Sequence, residues 1–127
     1  MQRRDLNAPS APQPAAPYSQ AVEVTGATRT LYISGQVGSD ASNNVPDDIT
    51  AQCKLVWANI IAQLAAAGMT LDNVVKMTTI VSNFSDFAES RRIRAEMLGD
   101  RRPAATAIVA GLANPAWKIE IEAIACA

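Results

Sequence analysis

Any chemistry on this chain must be done without histidine, because none of its 127 residues is one. The commonest general base is therefore missing, and Ser–His and Cys–His nucleophile machinery is excluded. A typical zinc site loses its usual nitrogen donors too, and no metal is expected. What remains is carboxylate, guanidinium, hydroxyl and thiol. Glu120 and Glu122 alternate with Ile119, Ile121 and Ala123 near the chain end. A carboxylate there can place or activate a water when a cleft covers it. It can equally be the solvated face of an alternating strand. Arg91, Arg92, Arg94, Arg101 and Arg102 make a basic cluster that either binds an anion or forms an ordinary charged face. Tyr18 and Ser34 offer hydroxyls to a water or a polar substrate group, or to ordinary strand hydrogen bonding. Gly35 admits a close approach to the backbone, or marks a bend or bulge. Trp117 reads as packing. Cys53 lies on an apolar helical stripe and reads as core; Cys126 has no base to activate it.

These residues have to be positioned by a small set of elements. Ala8 to Pro17 holds four of the seven prolines, so residues 1–17 are expected to form an extended Pro-rich arm ahead of a single domain over 18–127. A first strand is expected from Tyr18 to Val24, a turn at Thr25-Gly26-Ala27, and a second strand from Thr30 to Gly35. Asp47-Asp48 opens a helix, because a carboxylate there accepts first-turn amides and complements the dipole. Ile49, Cys53, Val56, Ile60, Leu64 and Ala67 follow helical spacing, and Gly68 ends the run. Asn73 to Val81 is β-branched and extended. Ser85 is placed to cap a second helix over Asp86 to Leu98, stopped by Gly99. Strands follow at Ala104 to Ala110 and Trp117 to Ala125. The predicted order is β-β-α-β-α-β-β, an α+β fold with a single mixed sheet and both helices on one face. The other face is left bare, and for so short a chain its natural cover is another copy of itself.

Composition narrows the function classes. Eleven Lys and Arg against twelve Asp and Glu leave a net charge of -1. A general nucleic-acid binder needs a basic surplus, so an RNA-directed role ranks low and no nucleic-acid partner is expected. No apolar run approaches the ~20 residues that cross a bilayer, so no membrane partner is expected either. The first residues lack the apolar stretch of a secretory signal. Two cysteines are too few for a disulfide scaffold, and a reducing cytoplasm with free thiols is the expectation.

Several strings carry a resemblance. Pro17-Tyr18-Ser19-Gln20-Ala21-Val22 and Leu31-Tyr32-Ile33-Ser34-Gly35-Gln36-Val37 come first. Then come the run from Ala66 to Lys76, Asp86-Phe87-Ala88-Glu89, Arg102-Pro103-Ala104, and Ile119 to Ala125. In this order they are similar to the RidA/YjgF family, the reactive-intermediate deaminases. The resemblance implies a chorismate-mutase-like fold and a homotrimer with a central barrel and three inter-subunit clefts. It also implies cofactor-free hydrolysis of enamines and imines, such as 2-aminoacrylate and its imine, to a 2-oxo acid and ammonia.

In that family an arginine after the Pro-Ala pair clamps the substrate carboxylate, and a glutamate on the last strand places the attacking water. Tyr18, Ser34, Gly35 and Glu120 match the family positions, and Glu120 falls on the catalytic glutamate. Ala105 stands where active members carry arginine, Ala107 where many carry cysteine, and Arg91 where the pattern has asparagine. The implied cleft is thus Tyr18, Ser34, Gly35, Arg91, Ala105, Ala107 and Glu120. A bidentate guanidinium is a large share of the binding of a small anion. Its loss at Ala105 argues against 2-aminoacrylate as substrate and leaves two readings. One is hydrolysis of another enamine or imine, with Arg91 replacing the clamp. The other is a non-catalytic trimer that binds or senses a small metabolite.

Overall fold

A computed structural model describes residues 1–127. Eight regular elements run in the order β1 (Gln2–Leu6), β2 (Ala21–Thr25), β3 (Thr30–Val37), α1 (Ile49–Ala66), β4 (Val74–Val81), α2 (Phe87–Leu98), β5 (Ala104–Val109) and β6 (Ile119–Cys126). The strands divide between two sheets, not the single one expected: a β1-β2 ribbon and a four-stranded sheet in the order β3-β6-β4-β5. In the larger sheet β6 runs antiparallel to both β3 and β4. β5 is parallel to β4, the geometry that a crossover helix such as α2 permits.

The extra strand is β1, at the start of the expected arm. Its polar sequence, Gln-Arg-Arg-Asp-Leu, carries no alternation of apolar residues, so pairing alone makes it a strand. Arg4 lies directly opposite Glu23 in the register, and their side chains pair at 3.1 Å. Arg3 Nη1 donates to the Val74 carbonyl at 3.0 Å, tying the ribbon to the start of β4. Tyr18 precedes β2 instead of opening it.

The helices form where local chemistry dictates. The Asp48 carboxylate accepts the Ala51 amide at 2.9 Å and caps α1. Beyond α1, Gly68 takes φ of 69°, a left-handed conformation that glycine adopts without a Cβ penalty. Ser85 does not cap α2: the N-cap of α2 is Asp86, which makes no side-chain cap bond, and the Asn83 side-chain Oδ1 accepts the Ser85 amide at 3.0 Å to cap the turn before it. A short Asx-stabilised turn therefore precedes α2. The last strand starts two residues later than expected, because the Trp117 amide is turned back onto the Asn114 carbonyl.

Both helices lie on one face of the larger sheet. Cys53, Val56, Trp57, Ile60 and Leu64 of α1 meet Ile33, Met77, Val81, Ile119, Ile121 and Ala123 in one core, joined by Ile93 and Leu98 of α2. Gln52 is fully buried within it and joins two loops. Its Nε2 donates to the carbonyls of Pro46 (2.7 Å) and Ala116 (3.0 Å), and its Oε1 accepts the Lys118 amide (2.9 Å). The other face of the sheet is bare, with Tyr32 76% and Ile108 43% exposed. No helix is long and apolar enough to cross a membrane.

Candidate functional site

A cavity of about 250 Å³ opens between α2, β5 and the Pro-rich segment. Three pieces of chain build it. Ala105 and Ala107 lie opposite Met77 and Thr79 in the β4–β5 register, so they face the helix side. Phe87, Arg91 and Arg94 fall at i, i+4 and i+7 along α2, which puts them on one stripe above those alanines. Tyr18 is delivered by its neighbour. The Ser19 amide donates to the Pro103 carbonyl (3.1 Å) and its hydroxyl to the Arg102 carbonyl (2.6 Å), stapling this stretch beside the start of β5. Ala15 and Ala16 complete the wall. A cavity of this size suits a small metabolite.

Positive charge marks the cavity. Arg92 is paired with Glu89 (2.5 Å) and Glu96 (2.6 Å), Arg101 with Asp72 (2.7 Å), and Arg102 donates to the Gly99 carbonyl (2.7 Å). None of these three lines the cavity. Arg91 and Arg94 do, and neither is in an ion pair with the chain's own carboxylates. The Arg91 guanidinium lies 5.6 Å from the Phe87 ring centre, a cation–π distance. Residue type does not distinguish Arg94 from a solvated helix arginine; its spacing from Phe87 and Arg91 puts it on their stripe, and only packing shows that the stripe lines a cavity.

Three other expected site residues lie elsewhere. Glu120 pairs with Val37 in the β3–β6 register, and the register shifts between Ile33 and Gln36, so Ser34 and Gly35 sit at a bulge. A Cβ built on Gly35 would stand 2.6 Å from Glu120 Oε1, so the close approach that this glycine permits is that of the Glu120 side chain. Glu120 makes no ion pair with the chain's arginines or lysines. Ser34 contributes to a depression on the bare face, with Tyr32, Lys76, Thr78 and Glu122.

Tyr18, Arg91, Ala105 and Ala107 thus gather at the β5 edge, whereas Ser34 and Gly35 on the edge strand β3 gather with Glu120 on its neighbour β6. Two strand spacings separate β6 from β5 and three separate β3 from β5, roughly 10 and 14 Å, and the sheet itself lies between Glu120 on the bare face and the helix-side cavity. One small ligand cannot touch both groups within a single chain.

The remaining nucleophiles are poorly placed for catalysis. Burial, then the nearby Glu89 carboxylate, pushes the Cys53 thiol up to about 12, so it stays protonated at neutral pH. Cys126 is buried beside Thr30. No three His, Cys, Asp or Glu side chains are gathered in a metal-holding group.

Fold and cavity together define a small α+β protein with a cationic pocket between its second helix and a sheet edge. The chain belongs to the RidA/YjgF family: the family model described as endoribonuclease L-PSP matches residues 8–127. A RutC family protein of Pyrococcus horikoshii is 39% identical over 118 residues, covering 91% of each chain. The mouse 2-iminobutanoate/2-iminopropanoate deaminase is 37% identical over 125 residues, covering 97% of this chain and 90% of that one. Among solved structures, YyfB of Yersinia pestis, a Rid family protein of unknown function, superposes with a TM-score of 0.84 at 36% identity over the whole of both chains. RidA of Psychrobacter superposes with a TM-score of 0.73 at 35% identity, covering 98% of this chain and 99% of that one.

Proposed function

We propose that this protein hydrolyses an enamine or imine to a carbonyl compound and ammonia, without a cofactor, in a cleft that two copies of the chain build together. The observation that carries this reading is the free Glu120 carboxylate lying against Gly35, with no cation to neutralise it. Similarity to proteins named 2-iminobutanoate/2-iminopropanoate deaminase supports the reaction class.

The chemistry needs few parts. An enamine first takes a proton from solvent on carbon, or an imine takes one on nitrogen, to become the iminium ion. Glu120 accepts a proton from a water as the water oxygen bonds to the imine carbon, and the C=N π electrons move to nitrogen. Glu120 returns that proton to the nitrogen of the neutral carbinolamine, the C–N bond breaks as ammonia leaves, and the hydroxyl proton passes to the Glu120 carboxylate and on to solvent as the carbonyl forms. General base help of this kind contributes about 10²–10⁴-fold. Arg91 holds a substrate carboxylate from the helix, in place of the strand guanidinium that Ala105 lacks, while Tyr18 and Ser34 orient polar groups.

The division of these residues between the β5 edge and the β3–β6 pair supports assembly: a complete cleft takes the β5 edge of one copy and the β3–β6 side of another. A homotrimer closing its bare sheet faces into a barrel meets that need and covers Tyr32 and Ile108.

The test is ammonia release from 2-iminobutanoate generated in place, compared with the spontaneous rate and with Glu120→Gln. Acceleration that falls at least about 10²-fold in Glu120→Gln is expected. Unchanged turnover in that variant removes Glu120 from the mechanism. A single observation favours the second reading, a binding or sensing trimer. The helix-side cavity has no carboxylate and no thiol of its own, and Ala105 and Ala107 give it an inert wall. Ligand bound and recovered unchanged, with no acceleration of any imine, is its signature.

A further inference from the structure

Arg94 is 92% buried by exposure of only 8%, yet it has no carboxylate or carbonyl partner anywhere in the chain. That is an unusual place for a cation, because removing a charge from water is costly unless something pairs it. The chain seals off two unpartnered side-chain atoms, Arg3 Nη2 and Thr79 Oγ1; the Arg94 nitrogens are not among them, so they keep access to the cavity they line. A second guanidinium, Arg91, lines the same cavity one helical turn earlier. Burial first, then the Arg91 charge, lowers the pKa of Arg94. An arginine nevertheless stays charged at neutral pH.

Neighbouring carboxylates do not relieve this pair. Glu89 and Glu96 are both taken by Arg92. Facing elements offer Tyr18, Phe87 and alanines, with no acid among them. Within one chain, Arg94 is therefore a buried positive charge without a partner and Arg91 an exposed one beside it, and the single Glu120 carboxylate that a second copy brings to the proposed cleft still leaves one positive charge in excess.

We propose that Arg91 and Arg94 form a two-guanidinium clamp that makes this cavity selective for small dicarboxylates, in the reaction as 2-imino or 2-enamino dicarboxylates, over monocarboxylates. The imino part rests on the function proposed above; the clamp does not. Two charges call for two anionic groups. The rise between positions 91 and 94 is about 4.5 Å along the helix, a separation that the two ends of a four- or five-carbon diacid bridge. The apolar surface of Phe87, Ala105, Ala107 and Ala16 suits the hydrocarbon between them. Each guanidinium can take a carboxylate bidentately.

Calorimetric titration of the full chain at low salt tests the clamp with stable product-like acids, independently of turnover. The probes are 2-oxoglutarate, 2-oxobutanoate and inorganic phosphate. Expected is binding of 2-oxoglutarate at least about tenfold tighter than 2-oxobutanoate, with that preference lost in Arg94→Gln and only partly kept in Arg94→Lys. The ligand-free Arg94→Gln variant should also melt at or above the natural protein's temperature, since an unpaired buried charge has been removed. A merely structural arginine predicts a lower melting temperature and no change in preference.

Equal affinity for the two oxo acids in the natural protein overturns the proposal, even should Arg94→Gln fail to fold. So does phosphate binding tighter than 2-oxoglutarate, which reassigns the site to a compact dianion. The two proposals fail separately. Discrimination without imine turnover sinks only the enzymatic reading, and turnover without discrimination sinks only the clamp.

Discussion

The Glu120 carboxylate lies where a side chain on residue 35 would have to be. A Cβ on Gly35 would stand 2.6 Å from Glu120 Oε1, 2.7 Å from Cδ and 2.9 Å from Cγ. The two residues sit on neighbouring strands beside a bulge in β3, so the bare Cα of Gly35 sets where this carboxylate rests.

Gly35→Ala is therefore expected to act on function more than on stability. The atoms that must yield belong to a flexible side chain, which swings aside. Imine turnover should fall towards that of Glu120→Gln while the melting temperature stays nearly unchanged. Gly38→Ala is the contrast. Its Cβ would meet Gln52 Cβ at 2.5 Å and Gln52 Cα at 2.7 Å, so α1 itself must move. A cost of about 3 kcal/mol is expected from such overpacking. Urea unfolding of both variants decides; equal destabilisation sinks the argument.

Gln52 should prove costly to remove. Its three hydrogen bonds hold the Pro46 and Ala116 carbonyls and the Lys118 amide inside the fold. Gln52→Ala leaves these groups unsatisfied and opens a void. A loss of about 3 kcal/mol is expected in equilibrium unfolding. A loss comparable to that of an exposed residue would mean that the two loops are not anchored through this side chain.

The acid limb of stability should contain a contribution from Glu89. The Arg92 hydrogen bond, then the Thr50 hydroxyl, holds its carboxyl down at about 2, against an ordinary 4.5. A folded value below the unfolded one means stabilisation that is fully present above pH about 4.5 and fades as pH falls towards 2. Glu89→Gln should flatten the dependence of unfolding free energy on pH across this window, leaving the slope above it unchanged. The pair is solvent-exposed, so the effect should also shrink in high salt.

Ala105→Arg tests how the cavity handles charge. The new guanidinium would join Arg91 and Arg94 on the same wall. Like-charge crowding is expected to lower the melting temperature at low salt and to be relieved by a small dicarboxylate. In Ala105→Arg with Arg91→Asn, one strand guanidinium replaces one helix guanidinium, as in the family pattern. That double variant should accelerate 2-aminoacrylate hydrolysis beyond the natural protein. No gain in either background would show that the strand position is not what separates this chain from its relatives.

The sequence carried α1 nearly whole. A capping aspartate, a helical stripe from Ile49 to Leu64 and a glycine stop are local signals, and local hydrogen bonding obeys them. Alternation along β6 likewise assigned Ile119, Ile121 and Ala123 to the buried face. β1 was illegible because its five residues have no apolar period and are extended only through their pairing with β2. The arginines show the same limit within the site. Arg91, Arg92 and Arg94 are alike as residue types, and only packing separates the one paired with Glu89 and Glu96 from the two left unpaired in the cavity.

By itself, then, the sequence determined the element types, the faces of α1 and β6, the absence of any imidazole chemistry, and family membership through ordered short strings. Each of these is a property of residue type or of near-neighbour spacing, where 3.6-residue and two-residue periods act directly. Tertiary structure alone decided that Tyr18, Arg91, Ala105 and Ala107 meet at the β5 edge while Ser34 and Gly35 of β3 meet Glu120 of β6 on the far side of the sheet. It also decided that Arg94 is buried without a partner. Strand order, ion-pair choice and close approach join residues far apart in the chain, and they are settled by which surfaces can be buried together, which no local period records.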